Sequence, residues 1–262
     1  MEKIKKFILV AFFATTALGI TSCNSDVEPI VFTPQSQLAF SVADIMRNGL
    51  FGIFAIEEAI SAQIAKGEEL PSTVVVITND LGDTTGWKSG FDPLTTYFRD
   101  SLTVTFSGSP LGNGSVKTID CSKLALETRE GKTLKVFGII EVTNVSTSAN
   151  ATSRDIHTQE FGWGEMNNDV KLNANYTFNS TYSNKIITEC KVSGSANGNH
   201  ITYETFSQDI TTDMIFGQET YFTGGSMTLT APYFGGFAAP IDVSFSPSGS
   251  MTVTYNGETS VY

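Results

Sequence analysis

The chain has 262 residues, 40% of them hydrophobic, with 16 lysines and arginines against 27 aspartates and glutamates and a formal charge of −11. An acidic balance repels phosphate backbones, and no Lys/Arg cluster follows Lys6, which argues against nucleic acid as a partner. No metal or cofactor site is legible: there are only two histidines, His157 and His200, no Cys pair has ligand spacing, and no nucleophile elbow or phosphate-binding glycine loop accompanies the many serines.

Lys3, Lys5 and Lys6 form a basic start, and an apolar run follows from Phe7 to Ile20. The run is too short to span a bilayer, which needs ~20 apolar residues, and the layout is that of a secretory signal peptide. The next residues, Ile20-Thr21-Ser22-Cys23, resemble the lipobox of bacterial lipoproteins. The resemblance implies that residues 1–22 are removed, that the Cys23 thiol takes a diacylglycerol, and that the new amine is acylated. Cys23 would then hold the body to a lipid bilayer through palmitate-type chains, at ~0.8 kcal/mol per buried CH₂. An ordinary secreted protein cut near Ser22 is the alternative.

Residues 1–22 carry three lysines and one glutamate, a net +2, so the remainder carries −13. Residues 23–33 read as a polar tether with Asp26, Glu28 and Pro29; ten extended residues reach ~33 Å. Ser25-Asp26-Val27-Glu28 also resembles the surface-export signal of Bacteroidota lipoproteins. Together these features imply an exported protein anchored at the outer membrane, with cell-surface exposure as the further implication.

Residues 34–262 read as a single globular domain with a helical segment over 34–66 and antiparallel β-structure over 72–262. Thr33 is suited to cap the helix, Pro34 to its first position and Gly67 to its stop. Val42, Ile45, Gly49, Ile53, Ile56, Ile60 and Ile64 recur at three- and four-residue steps and make one apolar stripe. A straight helix of this length is ~50 Å long, against ~45 Å for the whole domain, so a bend or break near Gly49 and Gly52 is expected.

Beyond Pro71 the pattern is β throughout. Thr73 to Thr78 is a β-branched run, and Leu102 to Phe106 alternates. Ser115 to Leu126 and Lys132 to Val142 read as long strands joined at Glu130-Gly131, followed by an exposed loop over 144–153. Asp155 to Phe161, Val170 to Phe178 and Lys185 to Ser193 continue the pattern, with a glycine-rich turn from Gly194 to Asn199 before Ile201 to Phe206. Gly225-Ser226-Met227-Thr228-Leu229-Thr230 recurs as Gly249-Ser250-Met251-Thr252-Val253-Thr254, which reads as reused hairpin chemistry. The expected fold class is mainly β: a large antiparallel meander forming a sandwich, barrel or curved sheet, with the N-terminal helical segment packed on it.

The hairpin spacings around Gly112-Asn113-Gly114-Ser115-Val116, Glu130-Gly131-Lys132 and Val142-Thr143-Asn144, with Val192 to Ser195 and Thr252 to Gly257, resemble a group of Bacteroidota lipoproteins of unassigned function. The resemblance implies the same β-hairpin architecture and compartment, and offers no catalytic residues to transfer.

Cys121 and Cys190 sit in strand-like segments, where burial as free thiols is favoured over a bridge. Asn79-Asp80 with Asp83 could hold Ca²⁺, although an Asx-turn accounts for it better. The histidines read as surface strand residues. Trp87 and Trp163 stand in glycine-flanked segments read as turns, either as platforms for sugar faces or as lids folded back on the core. Tyr233, Phe234 and Phe237 form a third candidate ligand surface in a glycine-containing loop. The expected function is that of a non-enzymatic surface lipoprotein binding glycan or another extracellular ligand. A fimbrial-type structural or adhesive subunit is the alternative, and a hydrolase with carboxylates hidden among surface acids is the last of the three.

Overall fold

The apolar stripe folds as one unbroken helix, α1 (Pro34–Ala65), of 32 residues. The computed structural model describes residues 34–65, 74–78, 96–109, 112–128, 133–164, 170–184, 186–200, 203–216, 222–230 and 239–262. Thr33 and Gly67, the expected cap and stop, lie outside the described residues. Where a bend or break near Gly49 and Gly52 is expected, the helix runs on without a break, and both glycines are helical and buried. Gly49 is there for close approach. A Cβ on it would stand 2.2 Å from Leu172 Cδ1 and 3.3 Å from Trp163 Cη2.

Thirteen strands follow among the described residues: β1 (Val74–Thr78), β2 (Thr96–Ser107), β3 (Val116–Asp120), β4 (Leu124–Thr128), β5 (Thr133–Thr147), β6 (Ala151–Gly164), β7 (Val170–Ser183), β8 (Ile186–His200), β9 (Tyr203–Phe216), β10 (Gly224–Thr230), β11 (Ile241–Phe245), β12 (Met251–Tyr255) and β13 (Glu258–Val261). They make one antiparallel sheet in the order β1-β2-β3-β5-β6-β7-β8-β9-β10-β11-β12-β13, with β4 paired to both β2 and β5. Short polar turns between β-branched runs leave each strand little choice but its sequence neighbour.

Strands far apart in the order of the sheet all reach the helix. Glu57 of α1 meets Lys117 on β3 and Arg154 on β6, and Phe54 meets Phe178 on β7 at 6.0 Å between ring centroids. Phe51 stacks on Phe222 at 4.5 Å and Phe40 on Tyr262 at 4.1 Å. A helix enclosed in this way needs apolar residues on more than one stripe. Ala39, Ala43, Met46, Leu50 and Phe51 are accordingly buried alongside Val42, Ile53, Ile56 and Ile60. Each large apolar side chain so buried contributes ~1.5–3 kcal/mol. The less buried side carries Asp44, which pairs with Arg47 and accepts a hydrogen bond from Asn48 Nδ2 at 3.0 Å.

Three local readings change. The strand expected over Ser115 to Leu126 is two, β3 and β4, parted at Cys121-Ser122-Lys123, where the Asp120 carboxylate accepts the Ser122 N–H at 2.8 Å and Leu124 N–H bonds Cys121 O at 2.9 Å. The loop expected over 144–153 is the tip of the β5–β6 hairpin, whose strands run on to Thr147 and from Ala151. Asn144 is buried there, donating through Nδ2 to Ser115 Oγ at 2.9 Å. The turn expected at Gly194 to Asn199 is also strand: β8 continues to His200 with a bulge at Gly194, whose φ of +129° and close approach to Asn175 suit only glycine.

The echoed Gly-Ser-Met-Thr segments become β10 and the start of β12, either side of β11. Met227 and Met251 face the core, and Gly225 and Gly249 each have positive φ. Cys121 and Cys190 are both buried as thiols, as expected.

Candidate functional site

Strand alternation sets two opposite faces on β3, β5, β6 and β7. The inner face carries Ile119, Val142, Ile156 and Phe178, and at one point it is ionic. Glu57, Lys117 and Arg154 are all essentially inaccessible to water. Lys117 Nζ donates to Glu57 Oε1 at 2.7 Å and to Ser61 Oγ at 3.2 Å, while Arg154 Nη1 pairs with Glu57 Oε2. Ser61 Oγ donates to Glu57 Oε1 at 2.9 Å, Arg154 Nη2 to Ser180 Oγ at 2.7 Å, and Ser180 Oγ reaches Cys190 Sγ at 3.3 Å. Burial alone would raise the Glu57 carboxyl; the Arg154 and Lys117 charges and the hydrogen bonds from Lys117 and Ser61 outweigh it and lower it to about 2. With no open path to solvent, this node serves to fix helix against sheet.

The outer face of the same strands is polar. Glu141 of β5 stands opposite His157 of β6, which stands opposite Asn175 of β7, which stands opposite Ser195 of β8. The adjacent row runs Thr143, Asp155, Thr177 and Ser193. Between these rows lies a shallow concavity of about 490 Å³, with the strands at Ile156 and Tyr176 under it.

Its side chains are tied together across strands. His157 Nδ1 and Asn175 Oδ1 share a hydrogen bond at 2.8 Å. Thr177 Oγ1 donates to Asp155 Oδ1 at 2.8 Å. Among the described residues no lysine or arginine lines the concavity. Tyr176, whose backbone lies beneath it, turns its ring into the core, where the hydroxyl donates to Gln208 and burial pushes its pKa up.

The concavity borders an irregularity. After His157, β6 gains one residue relative to β7, the register passing from His157–Asn175 to Phe161–Leu172. The buried Thr158 hydroxyl fills the gap in the ladder, donating to Leu172 O at 2.9 Å and accepting the Ala174 N–H at 2.8 Å. Glu160 takes a φ of +50° and its N–H bonds Asn173 Oδ1 at 2.9 Å. On the β5 side Gly138 has a φ of +88°, and a Cβ there would stand 2.4 Å from Glu160 O. A non-glycine residue held in this region costs on the order of 1–3 kcal/mol, and such bulges re-aim side chains beside functional surfaces.

Trp163 does not join this surface. It stands on β6, paired with Val136 and Val170 rather than in a turn, and packs half-buried beside Phe161 and the helix at Gly49. Cys23, Trp87, Tyr233, Phe234 and Phe237 lie outside the described residues, as do Asn79, Asp80 and Asp83. His157 is an exposed strand residue, as expected. Among the described residues no group of three His, Cys, Asp or Glu is placed to hold a metal ion, and no helix is long and apolar enough to cross a membrane.

The residues missed from sequence had a parity signal. Lys117 is two residues from Ile119 and Arg154 two from Ile156, so both share the inward face; the outward neighbours Glu141, Asp155, His157 and Asn175 follow from the same alternation. No protein family model, no curated protein and no solved structure matches the chain.

Proposed function

We propose that the protein is an exported, non-enzymatic binding protein, held to a lipid bilayer through acyl chains on Cys23, whose partner is a glycan or another extracellular ligand. The observation that carries the binding half is the division of labour between the two sheet faces. The inner face is filled by α1, and the outer face offers a concavity of about 490 Å³ with cross-linked polar side chains. Strand exchange with a partner subunit requires an open apolar groove, and in this sheet the helix occupies that place. The anchoring half rests on the sequence: the basic start, the apolar run from Phe7 to Ile20, and Cys23 after Thr21-Ser22.

Metabolic labelling with palmitate tests the anchor. The wild-type chain takes up label and fractionates with the outer membrane, and Cys23→Ser does neither. Labelling of Cys23→Ser at the wild-type level would remove the anchor from this reading. The binding half is tested by screening the full chain in detergent micelles against extracellular glycans and proteins.

A further inference from the structure

We infer that the outer-face concavity beside the β6 bulge is a binding site for a neutral polyhydroxylated ligand of the saccharide class, with His157, Asn175, Asp155 and Glu141 as its hydrogen-bonding residues. The inference rests on the reading of the protein as an extracellular binder and assigns that function a place and a chemistry.

Size comes first. A concavity of about 490 Å³ lies within the ~300–1,000 Å³ typical of small-ligand sites. Charge then narrows the ligand. Glu141 and Asp155 line the surface and, among the described residues, no lysine or arginine does, so phosphate, sulfate and carboxylate groups meet like charge there. The polar complement fits hydroxyl groups, each of which donates one hydrogen bond and accepts others. Asp155 Oδ2 and the Glu141 carboxylate accept; the Asn175 amide nitrogen donates; the His157 ring offers Nε2 as a further polar atom. Neighbouring hydroxyls on one sugar edge can be met by both kinds of group at once.

Preorganisation is the second argument. The His157–Asn175 and Asp155–Thr177 bonds each join two strands at 2.8 Å, so these side chains are already restricted before a ligand arrives. Ligand-free ordering of this kind lowers the entropy lost on binding. The bulge immediately after His157 adds an independent mark: β6 keeps a residue at positive φ, and Thr158 is inserted into the ladder at the edge of the concavity. With the Tyr176 ring turned inward, recognition here proceeds by hydrogen bonds along a sugar edge instead of stacking on its face.

The test is a glycan array probed with the full chain in detergent micelles, followed by titration of the strongest neutral hit. Wild type is expected to bind neutral glycans and to reject sulfated, phosphorylated and uronate ones. The double variant His157→Ala/Asn175→Ala is expected to bind at least tenfold more weakly, and Asp155→Ala severalfold, with melting curves close to wild type because all three residues are exposed or half-exposed strand positions. Unchanged affinity in the double variant overturns the site while the extracellular-binder reading stands. A preference for anionic glycans overturns the ligand class. Absence of binding to every glycan also overturns the inference, and the palmitate and protein-ligand assays then judge the broader reading separately. Should the double variant melt much lower, His157→Gln and Asn175→Asp provide gentler changes read by the same titration.

Discussion

Glu57 and Arg154, 97 residues apart in sequence, form an ion pair with both side chains sealed from water. Lys117 shares the same carboxylate, so the core holds one anion against two cations. Removing one member of a buried group strands the others, which typically costs 3–5 kcal/mol, while replacing all members by apolar residues is often neutral or stabilising.

Glu57→Ala is therefore expected to destabilise by ~3–5 kcal/mol and to lower the melting temperature by roughly 6–20 °C, at ~2–4 °C per kcal/mol for a domain of this size. The triple change Glu57→Leu, Lys117→Met, Arg154→Met should melt well above the single variant. A drop under about 2 °C for Glu57→Ala would show that the node carries little stability.

The same node predicts part of the acid response. The Glu57 carboxyl is at about 2 in the folded chain against its usual 4.5, so between those values the unfolded chain binds the proton and the folded one does not. The contribution is complete above pH 4.5 and is lost as pH falls towards 2, with a size on the order of 3 kcal/mol. Urea midpoints measured from pH 7 to pH 2 should fall in that window, and Glu57→Gln should fall less steeply than wild type.

Gly49→Ala should destabilise, although alanine is ordinarily the better helix former by ~1 kcal/mol. The added methyl would stand 2.2 Å from Leu172 Cδ1 inside the core, and overpacking of this kind costs ~1–3 kcal/mol. Leu172→Val should recover part of the loss in the double variant. Equal and additive losses in denaturant titrations would disprove the contact.

Trp163→Ala should behave as a core truncation, with a loss towards the lower end of the ~3–5 kcal/mol seen for buried aromatics because Trp163 is half-buried. Saccharide binding by the folded fraction should be unchanged, since Trp163 lines no part of the outer concavity. A normal melt with lost binding would return Trp163 to the role of ligand platform.

The mainly β meander and the helix that packs on it were legible because alternation and turn residues are local signals. Errors came where a residue answers to a distant partner. Gly49 reads as a helix interruption until Leu172 and Trp163 are seen against it. Asn144 reads as loop until its bond to Ser115 buries it. Gly194 reads as a turn, whereas it is the bulge that lets β8 pass close to Asn175. Glu57 lies four residues after Ile53 and three before Ile60, inside the apolar stripe, so its burial was readable; that it neutralises Lys117 and Arg154 follows only from the placement of β3 and β6 against the helix. The outer concavity is not legible in the sequence for a related reason: Glu141, His157 and Asn175 come together only once the hairpin registers are fixed.

The stacking of Phe40 on Tyr262, and the contacts of α1 with β11 and β12, tie the helix to the C-terminal strands. Synthesis delivers the helix long before the strands that complete its enclosure, and contacts of such sequence separation form slowly because the intervening chain must first be closed into a loop. Until β11 and β12 emerge, the helix lacks the contacts that they supply. A chain in that condition cannot complete its core from its N-terminal half alone.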